Sequence, residues 1–335
     1  MAPCAPGRSR TGATEGNDVV DPVVDAHMHI FRDPSWNPQN TMAYPDSWIR
    51  QVRWFDQDLA EARERYAASV RDSWDPDGSK TIARMDDAGV DVSVMMPMDR
   101  GLNAGDEGFV PIEQKNEGCY ELTQKWPGRL FSFCGVDPRR PQARDLLIRG
   151  LTEWGMLGLK LYPTTGFYPD DEIVYPLYEV CCDYDVPVLL HQGHSGGRLK
   201  SKYGHPIHVD SVAADFPDLR IIMGHGARIE TWGKEALSVA IYKTNVHIEI
   251  SLWQHWASVD ELVRLFVWIR DRIGIDRLIF GSDMTNTEVS MSLREWVETI
   301  AMFPEWARQL GFRLTEEEIG LVLGGNAKRV YKLPI

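Results

Sequence analysis

Six residues combine metal-binding or proton-handling chemistry with a shared kind of position, the end of a short apolar run. His27 and His29 stand two apart in "VVDAHMHIF". On a strand that spacing points both imidazoles to one face. His191 ends the run in "PVLLHQG", His225 the run in "IIMGHGA" and Asp283 the run in "LIFGSDM". Lys160 lies inside the apolar stretch "MLGLKLYPTTGF". Imidazoles and a carboxylate gathered at one mouth make the mixed N/O set expected for a divalent cation, zinc in the first place and manganese as the alternative. Any one strand-end histidine is more often a hydrogen-bonded structural residue. Six groups in the same register are the signal.

Lys160 poses its own question, because a buried ammonium without a partner costs several kcal/mol or gives up its proton. Either its aliphatic stem carries the charge to the surface at the strand end, or the site needs a nitrogen there. His194, Trp253 and His255 follow strand ends and are placed to reach a substrate, whereas His205, His208 and His247 receive no role.

Positioning such residues requires a regular frame. Apolar runs recur at residues 23–27, 90–97, 130–136, 158–162, 186–191, 219–225, 246–250 and 277–283. Most are continuous rather than alternating, as expected of parallel strands covered on both faces. Helical spacing fills the intervals, as in "PIEQKNEGCYELTQKW", "DDEIVYPLYEVCCDYD", "SVDELVRLFVWIRDRIG" and "SLREWVETIAMFPEWARQL". Strand and helix alternating eight times predicts an α/β fold, a (β/α)₈ TIM barrel over residues 21–335, whose active site lies at the C-terminal ends of the strands. The connection after the first run, residues 32–89, is unusually long and holds Trp36, Trp48, Trp54 and Trp74. Long loops in compact domains are commonly functional, so this insertion is expected to form an aromatic cap in which Trp36 and Trp54 meet substrate. The alternative is an insertion that packs its own tryptophans.

Composition narrows the partners. The chain has 36 Lys+Arg against 49 Asp+Glu, a net charge of −13, which argues against nucleic acid or an anionic membrane as a general partner. A small-molecule substrate is expected, and a homo-oligomer is compatible with this composition. Five cysteines with no C-x-x-C spacing indicate reduced thiols and a cytoplasmic protein rather than a disulfide framework. Residues 1–20 are rich in Pro, Gly, Ser and Thr, lack an apolar core segment, and read as a disordered tail rather than a secretory signal.

From "VVDAHMHIF" through "RIIMGHGA" and "RLIFGSDM" to "LVLGGNAKRVYKL", the chain resembles the amidohydrolase superfamily, in particular its amidohydrolase-related branch of hydrolases and decarboxylases. The resemblance implies a metal held by His27, His29, His191 and Asp283, with His225 matching the sixth-strand histidine. In binuclear members a carboxylated lysine closing the fourth strand bridges two metals. "KLYP" at Lys160 is similar to that strand in dihydroorotases, and His225 would then bind the second ion. Many relatives in the branch use one metal, which would leave His225 as a catalytic group and Lys160 as an unmodified amine. Nuclearity stays open at this point.

Two reactions fit. In hydrolysis of an amide, cyclic imide, lactone or related compound, Asp283 takes a proton from a metal-activated water and passes it to the leaving group. In non-oxidative decarboxylation of an aromatic or enoic acid, His225 or Asp283 delivers a proton to carbon, and Arg100 in "PMDRG", or Arg53 in the insertion, holds the acid. Hydrolysis leads on the strength of "KLYP"; the tryptophan-rich insertion favours an aromatic acid.

Overall fold

The structure is a computed structural model and describes residues 21–37, 58–104, 109–284 and 291–335. Its parallel strands are β1 (Val24–Met28), β2 (Val92–Met95), β3 (Leu130–Ser132), β4 (Cys134–Gly135), β5 (Leu159–Leu161), β6 (Val188–His191), β7 (Ile221–Gly224), β8 (Val246–Glu249) and β9 (Leu278–Ile279). β1 to β3 form one ladder and β4 to β9 another. Backbone bonds close both seams. Phe133 N–H donates to Met95 O while Cys134 N–H donates to Gly158 O, so β3 and β4 are one barrel strand that changes partner at Phe133. Ala26 N–H donates to Phe280 O, and Ser282 and Asp283 N–H both donate to His27 O, which returns the last strand to the first. The result is the (β/α)₈ barrel that the alternating pattern predicts.

The main helices are α1 (Leu59–Asp72), α2 (Ser79–Ala88), α3 (Ile112–Lys125), α4 (Ala143–Thr152), α5 (Tyr175–Asp183), α6 (Ile207–Asp215), α7 (Gly233–Tyr242), α8 (Val259–Arg272), α9 (Leu293–Ala301) and α10 (Phe303–Gln309). The expected single helix over residues 292–310 is thus two. Pro304, in the first turn of α10, has no N–H to continue the ladder of α9 and its ring crowds the preceding turn. The run at 277–283 also departs from expectation. Only Leu278–Ile279 is strand, and Arg277 turns aside so that its guanidinium donates to Lys243 O and Val246 O at 2.8 and 3.3 Å.

The long first connection divides. α2 leads directly into β2 and packs on α9, so residues 79–88 belong to the barrel's helical ring rather than to an insertion. Ahead of it, Trp74 pairs with Phe31 next to β1, and Asp75 accepts from Lys80 N and Thr81 N at 3.2 and 2.8 Å, fixing the start of α2.

Inside the barrel, Val24, Ala26, Val92, Val94, Met96, Phe133, Leu189, Ile222 and Ile279 form a cluster closed by Tyr331 and Leu333 near the C-terminus. Ala26 packs in that interior although its neighbour His27 also reaches across the mouth. A register shift between Asp25 and Met28 in the β1–β2 ladder permits both. Among the described residues no helix is long and apolar enough to cross a membrane.

Candidate active site

Three lone pairs meet above β1. His29 Nδ1–H donates to Met96 O at 2.7 Å, and a carbonyl can only accept, so the neutral ring carries its lone pair on Nε2. That nitrogen lies 3.0 Å from Asp283 Oδ1. His27 Nδ1–H donates to Glu249 Oε2 at 2.8 Å, which likewise leaves a lone pair on His27 Nε2, 3.7 Å from the same carboxylate oxygen. Two imidazole nitrogens and a carboxylate oxygen turned on one another repel unless a proton or a metal ion lies between them. The donor set therefore fits a divalent cation, and His27, His29 and Asp283 could hold it. A second group, His27, His225 and Glu249, shares His27.

Burial sharpens the electrostatics. It would raise the Asp283 carboxyl, but a proton or other positive charge shared with the facing His29, and with His225 and His27, holds it below the usual carboxylate range. Burial, reinforced by the Lys160 charge, keeps His27 well below the ordinary imidazole value, in the neutral form that a metal requires.

Lys160 is answered in part by geometry. It is 2 % exposed, so its stem does not carry the charge to solvent. Its Nζ stands 3.0 Å from His27 Nε2 and donates to that lone pair. Burial lowers the amine to about 8, opposed by the charges of Asp283 and Glu249. Lys160 thus belongs to the cluster, with its nitrogen directed at the candidate metal position.

His191 and His225 form a second unit. Ser251 Oγ donates to Glu249 Oε2 at 2.8 Å and so accepts from His225 Nδ1–H at 2.7 Å. His225 Nε2 then holds a lone pair and accepts from His191 Nδ1–H at 3.0 Å, while His191 Nε2 accepts from Ser195 Oγ at 2.9 Å. Glu249 anchors both units, because its carboxylate also takes His225 N–H at 3.0 Å and Ser251 N–H at 2.5 Å. His191 accordingly lies beside His225 rather than within the His27, His29, Asp283 group. Burial pushes His225 down to about 3.

The mouth is built on unusual backbone. Asp283 has φ 56°, and residues 225–228 have φ 61°, 49°, 55° and 62°, a left-handed turn that costs roughly 1–2 kcal/mol for each residue bearing a Cβ. Such strain concentrates at functional sites. Gly226 within the turn is required twice, by its φ and because a Cβ would stand 2.6 Å from Trp253 Cζ2. Trp253 locks the turn by donating Nε1–H to His225 O at 2.9 Å. Beneath Asp283, Asp25 accepts from Ser282 N and Ser282 Oγ at 2.9 and 2.6 Å, pinning the eighth barrel strand to the first.

The residues expected to meet substrate separate. Arg100 reaches the mouth, with its guanidinium 5.9 Å from the Tyr162 ring, which in turn lies 4.2 Å from the His191 ring. His255 is buried and held by burial down to about 4, within reach of the Asp283 charge. His194 is exposed and stacks on Trp232 at 4.2 Å. Trp253 is buried behind His225. Trp36 is buried against Gly118 of α3, its carbonyl accepts from Lys115 Nζ at 2.7 Å, and it lines the same cavity as His29. Arg53, Trp48 and Trp54 lie outside the described residues.

Sequence reasoning missed Glu249, Ser251, Arg228 and Asp25. The signal for Glu249 was the same as for Lys160, one charged residue inside an apolar run, "VHIEI".

Comparison with known proteins agrees with this architecture. The chain is 23% identical over 282 residues to a 2-keto-4-carboxy-3-hexenedioate hydratase of Sphingobium sp. (strain NBRC 103272 / SYK-6), covering 72% of this chain and 79% of that protein. An uncharacterised TIM-barrel protein from Bordetella bronchiseptica superposes with a TM-score of 0.67 at 20% identity, over 92% of this chain and 98% of that one. A 5-carboxyvanillate decarboxylase from Novosphingobium aromaticivorans, bound to manganese and 3-methoxy-4-hydroxy-5-nitrobenzoic acid, superposes with a TM-score of 0.65 at 17% identity, over 95% and 99%. The family described as Amidohydrolase matches residues 24–333, nearly the whole barrel with its H-x-H strand and its eighth-strand aspartate, and the chain belongs to that amidohydrolase family.

Proposed function

We propose that this chain is a metal-dependent enzyme that acts on a small organic acid, adding or removing CO₂ or water in a lyase reaction. The observation that carries the reading is the convergence of His27 Nε2, His29 Nε2 and Asp283 Oδ1, of which His27 Nε2 takes a hydrogen bond from Lys160 while His29 Nε2 and Asp283 Oδ1 face one another with no proton supplied by their other partners. These residues would hold one divalent ion, manganese or zinc. When bound, the ion would polarise a substrate oxygen and stabilise negative charge developing on it.

The chain's own residues supply the rest. Glu249 and Met96 O fix the tautomers of His27 and His29 so that both present nitrogen lone pairs. Ser251 fixes His225 in the same way, and His225 and His191 hold one proton between them across their 3.0 Å contact, a proton store beside the candidate metal group. Arg100 and Arg228 place positive charge at the mouth of a chain whose net charge is −13, which supports an anionic substrate. Lys160 donates toward His27 Nε2 and keeps a further positive charge beside the reacting centre.

The reading draws further support from the hydratase and decarboxylase among the similar proteins. Hydrolysis is the second reading, supported by the same carboxylate, since Asp283 could equally take a proton from water. Manganese- and zinc-loaded protein should be assayed against aromatic acids and unsaturated dicarboxylates for CO₂ release and double-bond hydration, and against lactones and amides for ring opening. Metal-dependent turnover of acids is expected. Turnover of neutral lactones or amides alone would shift the assignment to hydrolysis, and failure to retain metal would overturn both.

A further inference from the structure

The connection from β6 to α6 begins "GHSGGRLK" at residues 193–200. Its glycines leave the backbone few steric limits, and Gly193 and Gly197 use that freedom at φ 96° and 76°. Both ends are tied. Gly193 N–H donates to Gly204 O at 2.8 Å, and Lys200 N–H donates to Thr164 O at 2.8 Å. Between the ties, His194, Gly197 and Arg198 are exposed and Ser195 is half-buried.

Two neighbouring side chains hold this segment against the mouth. Ser195 Oγ–H donates to His191 Nε2 at 2.9 Å, and His194 stacks on the Trp232 ring at 4.2 Å, with His205 against the same ring at 4.7 Å. Ser195 N–H donates to Ser201 Oγ at 3.1 Å, within the same connection. A further link, from Asn103 Nδ2 to Arg198 O, is stretched to 3.5 Å. The two side-chain contacts reach different parts of the site. His191 ends β6 and stands 3.0 Å from His225, whereas Trp232 closes the Arg228–Trp232 turn that continues the chain from His225. Glycine-rich segments with exposed backbone and few buried apolar contacts open at low free energy, and active-site lids are drawn from them. A loop that served only to join β6 to α6 would need no hydroxyl on a histidine that is itself 6 % exposed.

We propose that residues 193–200 form a hinged lid over the His191 side of the site, latched at the rim by His194 on Trp232 and inside it by Ser195 on His191. Release of both latches swings the segment about its tied ends and uncovers His191 Nε2. Closure returns Ser195 to that nitrogen and holds the imidazole with its Nδ1–H toward His225. The lid goes beyond the reaction proposed above and does not depend on which acid is the substrate.

The test exposes full-length, chelator-treated protein to dilute trypsin, with cleavage after Arg198 and Lys200 read by mass spectrometry. Where opening is fast and cleavage slow, the rate reports the open population. His194→Ala and Ser195→Ala should each raise it about three- to tenfold, the effect of losing one ring stack or one hydrogen bond. Ser195→Thr keeps the hydroxyl and should cleave like wild type. Modification of His191 by diethyl pyrocarbonate, mapped on the digested protein, provides the second readout. It should rise by a similar factor in His194→Ala, although that residue sits on the rim. Wild-type cleavage rates in both alanine variants would overturn the proposal, because no latch would then exist. Faster cleavage in His194→Ala with unchanged modification of His191 would also overturn it, since the loop would move without uncovering the site. Cleavage spread through the whole chain in both variants would do the same, by showing that these contacts hold the fold rather than a lid.

Discussion

His29 Nε2 faces Asp283 Oδ1 at 3.0 Å while His29 Nδ1–H is committed to Met96 O, so the contact is two acceptors in search of a cation. Replacement of one acceptor by a donor relieves it. Asp283→Asn should raise the stability of the chelator-treated protein by about 1 kcal/mol, because an amide N–H can donate to His29 Nε2. The same variant should gain little or no Tm on addition of manganese or zinc, whereas wild type should gain several degrees. Thermal melts with and without chelator decide it; an equal metal-induced gain in both proteins would remove Asp283 from the ligand set.

Glu249 accepts from His27 Nδ1, His225 N, Ser251 N and Ser251 Oγ with only two oxygens. Glu249→Gln turns one of those acceptors into a donor and sets it against an N–H or O–H. Metal affinity should fall by about 10–100-fold, the usual effect of losing a group that orients a ligand histidine. Competition with a calibrated chelator measures this, and an unchanged affinity would mean that His27 is oriented without Glu249.

Gly281 lies where Glu249 and His27 approach most closely. A Cβ there would stand 2.3 Å from Glu249 Oε1 and 2.9 Å from His27 Cβ. Gly281→Ala should therefore destabilise the fold by about 1–3 kcal/mol through overpacking and lower its metal content at the same time. Denaturant melts and elemental analysis provide the two readouts, and a variant with wild-type values in both would show that the strand end yields freely.

Lys115 is buried, donates to Trp36 O and Met98 O, and is lowered by burial to about 8 from its ordinary 10.5. Between those values the unfolded chain binds the proton more than the folded one does, so stability should rise with pH across that window. Relative to Lys115→Met, wild type should gain up to about 3 kcal/mol between about pH 8 and pH 10.5. Parallel denaturant melts across that range test the sign; a falling difference would show that the ammonium is stabilised, rather than penalised, in its pocket.

Several parts of this molecule were legible in the sequence because they depend on local period. Continuous apolar runs separated by helical spacing impose parallel strands covered on both faces, and the barrel is the closure found. The H-x-H spacing places His27 and His29 on one side of one strand, and α8 occupies the helical spacing of "SVDELVRLFVWIRDRIG". Where strands end, the residues that end them must crowd one mouth, so Lys160, His191, His225 and Asp283 could be nominated without coordinates.

Which of these groups touch was decided by the tertiary structure alone. His27 meets Glu249 at 2.8 Å across 222 residues and Lys160 at 3.0 Å across 133, and neither pairing has a local signature. Hydrogen bonds between strand ends depend on how far the strands are staggered when the barrel closes, a quantity set by the packing of the interior layer of Val24, Val94, Leu189, Ile222 and Ile279. The left-handed turn at residues 225–228 is likewise invisible in "HGAR", since only Gly226 favours it intrinsically and the other three residues are held there by contacts such as Trp253 Nε1–H to His225 O. Trp36 shows the same limit from the opposite side. Its type suggested contact with substrate, and it was the tertiary structure that set its ring beside Gly118, on the wall of the cavity that His29 also lines. Residue type and spacing determine what chemistry is available at the mouth; the stagger and closure of the barrel determine which atoms perform it.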